Sequence, residues 1–276
     1  MFKRWGFSET HNQYTGIGDI ADKLPAGMYE FSTSMRGEPV ATRKDLKDDS
    51  LHEFDFGPMK PIIEEIGGFW NSAGHYKKLG VTHKRGILLY GPAGCGKTAI
   101  LQAAIKDVIV RGGVAVNARS IEPFKEAIPL FRQIEDGRPV LAVIEDLDQA
   151  CEYNEEEFLE VMDGATSIGH GVLFLATTNH LEKIPVRISH RPSRIDTLIE
   201  VPFPVEQQRL EYLRFIASGE LKIPDDVLRK IAKQTKDFSL AALKEFVIST
   251  VVYKRDAAGT IARLKALLEV ENVKKE

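Results

Sequence analysis

The stretch Gly91-Pro92-Ala93-Gly94-Cys95-Gly96-Lys97-Thr98 holds the residue types that cradle a phosphate. It fits the pattern G-x-x-x-x-G-K-[ST] at every fixed position. Glycines at such spacing let the backbone curl so that successive N–H groups face an anion. A helix N-terminus behind them adds partial positive charge, and Ala99 extends this contact stretch into the helix. Lys97 has the reach for β- and γ-phosphates, and Thr98 offers a hydroxyl to Mg²⁺. The competing reading is a glycine-rich surface turn. The flanking residues argue against it, and a nucleoside triphosphate is the implied ligand.

A second group is acidic. Val140-Leu141-Ala142-Val143-Ile144 reads as a strand buried on both faces, and it ends in Glu145-Asp146-Leu147-Asp148. Carboxylates at the carboxyl end of such a strand are placed to hold Mg²⁺ and an attacking water. We assign Glu145 to the metal and Asp146 to the water. The alternative is a charged strand end leading into a solvated loop.

These groups need a scaffold. Strand-like runs lie at 86–90, 114–117, 140–144 and 172–177, with helical stretches between them. This alternation predicts a parallel α/β sheet with right-handed crossovers. The organisation expected is an appendage at 1–50, a nucleotide-binding core at 51–202 and a helical lid at 203–276. In the appendage, Met28-Tyr29-Glu30-Phe31-Ser32 and Val40-Ala41-Thr42 flank turn residues and read as a β-hairpin. Met1 to Phe7 is basic and aromatic, which suits a frayed or intersubunit tail or, less well, a surface anchor through Trp5 and Phe7. In the lid, Leu240, Leu243, Phe246 and Val247 mark one helix, and Ile261, Leu264, Leu267 and Leu268 another.

Together with Leu175-Ala176-Thr177-Thr178-Asn179-His180 and Arg191-Pro192-Ser193-Arg194-Ile195-Asp196, these motifs resemble the AAA family of ATPases over roughly 58–250. The resemblance implies a P-loop AAA core with a C-terminal helical lid. It also implies ATP with Mg²⁺ as cofactors, and Asn179 as the residue that orients the water. Arg191 and Arg194 would be fingers on a neighbouring subunit's nucleotide. Fingers acting in trans imply a ring of identical subunits, a hexamer or heptamer. Within the family the chain most resembles the branch of the mitochondrial complex III assembly ATPase, as a soluble bacterial or phage-type relative. It shares the Glu-Asp order, the Thr-Thr-Asn-His block and a helix ending in Asp163-Gly164. It departs from the family in four places, one being Ser189-His190 where an apolar pair often precedes the fingers. Phe124 is the only aromatic where a pore loop would lie, and core packing is its other reading. Leu240 replaces a glycine near the adenine. No arginine stands at the sensor 2 position.

Composition bounds the remainder. The 276 residues carry a formal net charge of -3, with no basic segment to recruit nucleic acid. The two cysteines form no disulfide framework, which suits a cytoplasmic setting. No apolar run reaches membrane-spanning length. The seven histidines lack metal-ligand spacing. The favoured role is a protein-remodelling or chaperone-type motor on an unidentified protein substrate, with ATP cycles moving the N-terminal appendage. A nucleic-acid-associated ATPase of the initiator or clamp-loader type, or a slow regulatory switch, are the alternatives.

Overall fold

The computed structural model describes residues 4–8, 13–17, 22–34, 39–46, 59–163, 169–189, 193–217 and 223–273. The chain divides into two compact units. One comprises Met1–His52, Pro61–Tyr90 and Thr98–Glu200; the other comprises Glu53–Lys60, Gly91–Lys97 and Val201–Glu276.

The first unit is built on a nine-stranded sheet. Its strands are β1 (Arg4–Ser8), β2 (Gln13–Ile17), β3 (Gly27–Thr33), β4 (Pro39–Lys44), β5 (Lys84–Tyr90), β6 (Val114–Asn117), β7 (Val140–Ile144), β8 (Val172–Thr178) and β9 (Thr197–Glu200). They lie in the order β1-β2-β4-β3-β6-β7-β8-β5-β9. From β3 to β9 every neighbouring pair is parallel. Beyond β3, the pairs β3–β4, β4–β2 and β2–β1 are antiparallel. Every residue of β7 and β8 is buried, which is why both read as continuous apolar runs.

The helices of this unit are α1 (Met59–Asn71), α2 (Ala73–Leu79), α3 (Lys97–Val110), α4 (Ile121–Ile134), α5 (Leu147–Asp163) and the short α6 (Val186–Ser189). The ends of α1 and α3, at Met59, Lys60 and Lys97, fall in the other unit. Helix α4 packs on β3 and β4. Phe124 on α4 is fully buried, stacks on Phe31 and meets Phe174 edge-on. It is therefore core, and not a substrate-gripping aromatic.

The N-terminal strands continue the core sheet instead of forming a separate appendage. Met28 pairs with Ala115 and Tyr29 with Val116 across β3–β6. Trp5 is 1% exposed, lies against Phe131, and donates its indole N–H to Glu135 Oε1 at 3.1 Å. Neither a frayed tail nor a surface anchor fits a side chain so enclosed. Glu135 also accepts from Leu24 N at 2.7 Å and from Arg138 Nη1. One buried carboxylate thus ties the first strand, the segment before β3 and the residues after α4.

The second unit is helical: α7 (Glu206–Ala217), α8 (Asp225–Gln234), α9 (Leu240–Val247) with a π-helical turn Ile248–Val252, and α10 (Ala257–Val273). Arg209 on α7 is buried and donates to the carbonyls of Pro204 and Ala232, joining α7 to the end of α8. On α10, Leu264 is buried but Leu267 is 54% exposed, so the covered stripe is narrower than the leucine spacing predicts. No described helix is long and apolar enough to cross a membrane.

Candidate active site

The phosphate-loop residues Gly91–Lys97 lie within the helical unit as the contacts divide the chain. Three glycines there adopt left-handed backbone: Gly91 at φ 143, Gly94 at φ 72 and Gly96 at φ 103. A side chain is excluded at two of them by space as well as by φ. A Cβ on Gly91 would sit 2.3 Å from Val201 O, and one on Gly94 would sit 2.8 Å from Ala241 Cβ and 2.9 Å from Ser239 Oγ. The loop is bolted to the start of α9. Ala241 N donates to Gly94 O at 3.1 Å, and Ser239 Oγ caps the helix by accepting from Ala242 N at 3.2 Å.

Lys97 Nζ donates to Gly91 O at 2.7 Å and to Pro92 O at 2.8 Å, so its ammonium lies against the loop's own first turn. Pro92, Ala93 and Cys95 fill the positions between the glycines. Burial pushes the Cys95 thiol up to about 11, with Lys97 pulling weakly the other way. It is a protonated filler at neutral pH and not a nucleophile. Thr98, the second residue of α3, is exposed, and Ala99 is buried.

The acidic group belongs to the sheet unit. Strand β7 ends at Ile144, level with Ala176 on β8, and Thr178 on β8 is level with Tyr90 on β5. Register alone puts Glu145, Asp146 and Asn179 at one edge of the sheet, and Gly91 follows Tyr90 in the chain. Glu145, Asp146 and Asn179 are each half-buried. Asp146 has φ 51, a left-handed backbone that a non-glycine residue adopts at a cost. Its amide donates to Thr177 Oγ1 at 3.4 Å, and its carbonyl accepts from Gln149 N and Ala150 N to open α5. Thr178 Oγ1 donates to Asp148 Oδ1 at 2.6 Å and accepts from His180 N at 2.9 Å. The ends of β7 and β8 are thereby stitched around Asn179.

Sequence reasoning passed over Arg119. Its Nη2 lies 3.9 Å from Asp146 Oδ2 and 2.8 Å from Gln149 Oε1, while its amide donates to Asn117 Oδ1 at 3.1 Å. The available signal was a basic residue two positions beyond a parallel strand's carboxyl end, where ligands gather.

The two arginines fare differently. Arg191 lies outside the described residues. Arg194 is 4% exposed and its fork faces Asp163 of the same chain, with Nε to Oδ1 at 2.6 Å and Nη2 to Oδ2 at 2.5 Å. It is not displayed on the surface as a finger would be.

Residues 87–203 match a family described as "ATPase family associated with various cellular activities (AAA)". The chain is similar to the proteasome-activating nucleotidase of Aeropyrum pernix, 28% identical over 223 residues, covering 70% of this chain and 54% of that protein. It is similar to the proteasome-activating nucleotidase of Thermococcus onnurineus, 28% identical over 224 residues, covering 72% of this chain and 54% of that protein. The chain thus spans about half the length of the curated relatives it matches.

Proposed function

We propose that the AAA ATPase domain at residues 87–203 drives an oligomeric protein-remodelling machine of the chaperone type. ATP hydrolysis is the reaction of such a domain. The observation that carries the nucleotide reading is the loop 91–97. Its three glycines take left-handed φ, two of them leave no room for a Cβ against Val201 and the start of α9, and the Lys97 ammonium is drawn over its first turn. The residues present therefore fit a polyphosphate.

ATP with Mg²⁺, when bound, supplies the γ-phosphoryl group and the charge that balances it. Gly91 to Ala99 hold the phosphates. Lys97 neutralises them, and Thr98 and Glu145 hold the metal. Asp146 polarises the attacking water and Asn179 orients it. Arg191 stabilises charge on the neighbouring protomer's nucleotide, which makes a ring of identical subunits, hexameric or heptameric, the working form.

The Glu145-Asp146 order and the Thr177-Thr178-Asn179-His180 block support a place in the branch of the complex III assembly ATPase. The relatives' name, proteasome-activating nucleotidase, supports a nucleotide-driven role toward a protein partner. Two buried free cysteines support a reducing, cytoplasmic compartment. The burial of Phe124 disfavours threading gripped by that residue.

Asp146→Asn tests the chemistry: it should bind ATP as the parent does and lose turnover. Turnover that survives removes Asp146 from its role. Stimulation of hydrolysis by DNA at moderate salt would favour a nucleic-acid-associated ATPase instead.

A further inference from the structure

Arg194 is held from several directions within its own protomer. Helix α5 ends at Asp163, whose carboxylate takes the guanidinium fork two-on-two, at 2.6 and 2.5 Å. The remaining terminal nitrogen, Nη1, donates to the carbonyl of Arg187 on α6. The side chain is 4% exposed, against 43% for Asp163. The backbone around it is fixed as well. Asp196 Oδ1 accepts from Ser193 N and Asp196 Oδ2 from Gly86 N, both at 2.9 Å, and Asp196 N donates to Gly86 O at 2.8 Å. Strand β5 comes so close that a Cβ on Gly86 would lie 1.9 Å from Arg194 O. Ser193 takes a left-handed φ of 76 to enter this arrangement.

We infer that Arg194 is a positioning residue that stays in its own protomer, clamping the segment that carries Arg191 to the end of α5. A finger needs an exposed guanidinium with its fork open to phosphate oxygens. Here the fork is matched to a carboxylate, the geometry that planar guanidinium favours most. Releasing it would strip a charge of its partner inside the fold, which folded proteins resist strongly. The Asp163–Arg194 pair joins the carboxyl end of the helix that follows Glu145-Asp146 to the chain three residues beyond Arg191. The trans role is thereby left to Arg191, with Arg194 as the anchor three residues beyond it in the chain. This rests on the reading above in which Arg191 acts in trans.

The experiment measures ATPase kinetics on the full chain for Asp163→Asn, Arg194→Gln, Arg191→Ala and the exchange Asp163→Arg with Arg194→Asp. Circular dichroism checks that each variant is folded. A clamp predicts that Asp163→Asn and Arg194→Gln both lower kcat by about tenfold to a hundredfold, as for a displaced catalytic group, with KM for ATP little changed. The exchange should regain about tenfold over either single variant. Asp163→Asn at the parental rate, or an exchange as slow as Arg191→Ala, would overturn the clamp and restore Arg194 as a finger. If the single variants do not fold, the exchange alone decides by the same criterion.

Mixing Lys97→Ala with Arg191→Ala subunits tests the underlying reading separately. Activity regained on mixing shows Arg191 acting in trans. No recovery there, alongside a successful exchange, would retain the clamp and reject the finger.

Discussion

Gly94→Ala is the most informative single change in the phosphate loop. Two costs can be worked from the structure. The backbone at Gly94 has φ 72, which costs an L-residue about 1–2 kcal/mol. The added methyl would sit 2.8 Å from Ala241 Cβ and 2.9 Å from Ser239 Oγ, where carbon contacts relax only at roughly 3.5–4.0 Å. The loop or the first turn of α9 must then shift by about 1 Å, and that turn is where Ala241 N holds Gly94 O. A displacement of about 1 Å in a group that positions substrate typically costs about a hundredfold, or about 2.7 kcal/mol at the transition state. The assay is an ATP titration by calorimetry with steady-state hydrolysis on the same protein, and thermal unfolding as a control. A second substitution sharpens it. Ala241→Gly in the Gly94→Ala background removes the nearest carbon but leaves the Ser239 contact and the φ strain. It should regain about tenfold in kcat/KM and not reach the parent. Its own cost in helix propensity, about 1 kcal/mol, should register in unfolding and not in the rate. Gly94→Ala within threefold of the parent in both affinity and rate would refute the cradle argument. So would a double variant slower than the single one.

Three further outcomes are expected. Phe124→Leu should lose about 1–3 kcal/mol in urea unfolding, as core truncations do, and keep its ATPase rate and any stimulation by a protein substrate; lost stimulation at full stability would return Phe124 to substrate handling. Glu135→Leu removes the acceptor shared by Trp5 and Leu24 and leaves the Arg138 guanidinium without its carboxylate, at a cost of about 3–5 kcal/mol. In a Trp70→Phe background, emission of Trp5 should then shift to the red, and unchanged emission would argue against the tether. Burial of His83, stacked on Phe69 at 4.1 Å, lowers its pKa from the ordinary 6.5. The unfolded chain therefore takes a proton that the folded one refuses, so stability should fall as pH drops below about 6.5 and be flat above it. His83→Asn should lose that part of the slope in denaturation measured from pH 5 to 8.

What was legible in the sequence is what local chemistry decides. Strands β6 and β7 begin and end at the expected residues, and β5 and β8 differ only at the ends, because strands with buried apolar runs need no partner information to be recognised. The phosphate loop was legible because its glycines answer to their own φ values. Strand β9 was not, since Thr197-Leu198-Ile199-Glu200 is short and only half covered. Arg194 read as a surface finger because the carboxylate that captures it lies 31 residues earlier, and no local pattern reports that pairing. Trp5 read as a tail or anchor for the same reason, its acceptor being 130 residues away.

The N-terminal strands bear on how ATP could do work. A separate appendage could swing with each cycle, as the sequence invites one to expect. These strands cannot do so cheaply. Separating β3 from β6 would break a parallel ladder running from Gly27–Val114 to Glu30–Asn117. It would also uncover Tyr29 and Phe31, exposed 0% and 3%, and strip Phe31 from Phe124 and Phe131 on α4. Re-exposing two such aromatics costs on the order of 3–6 kcal/mol before any hydrogen bond is counted. The Glu135 cluster resists the same motion at Trp5 and Leu24. Residues 4–44, where described, therefore move with the core sheet as one body. A partner held on those strands would feel the nucleotide only through motion of that whole body, and not through a hinge at the β3–β6 seam.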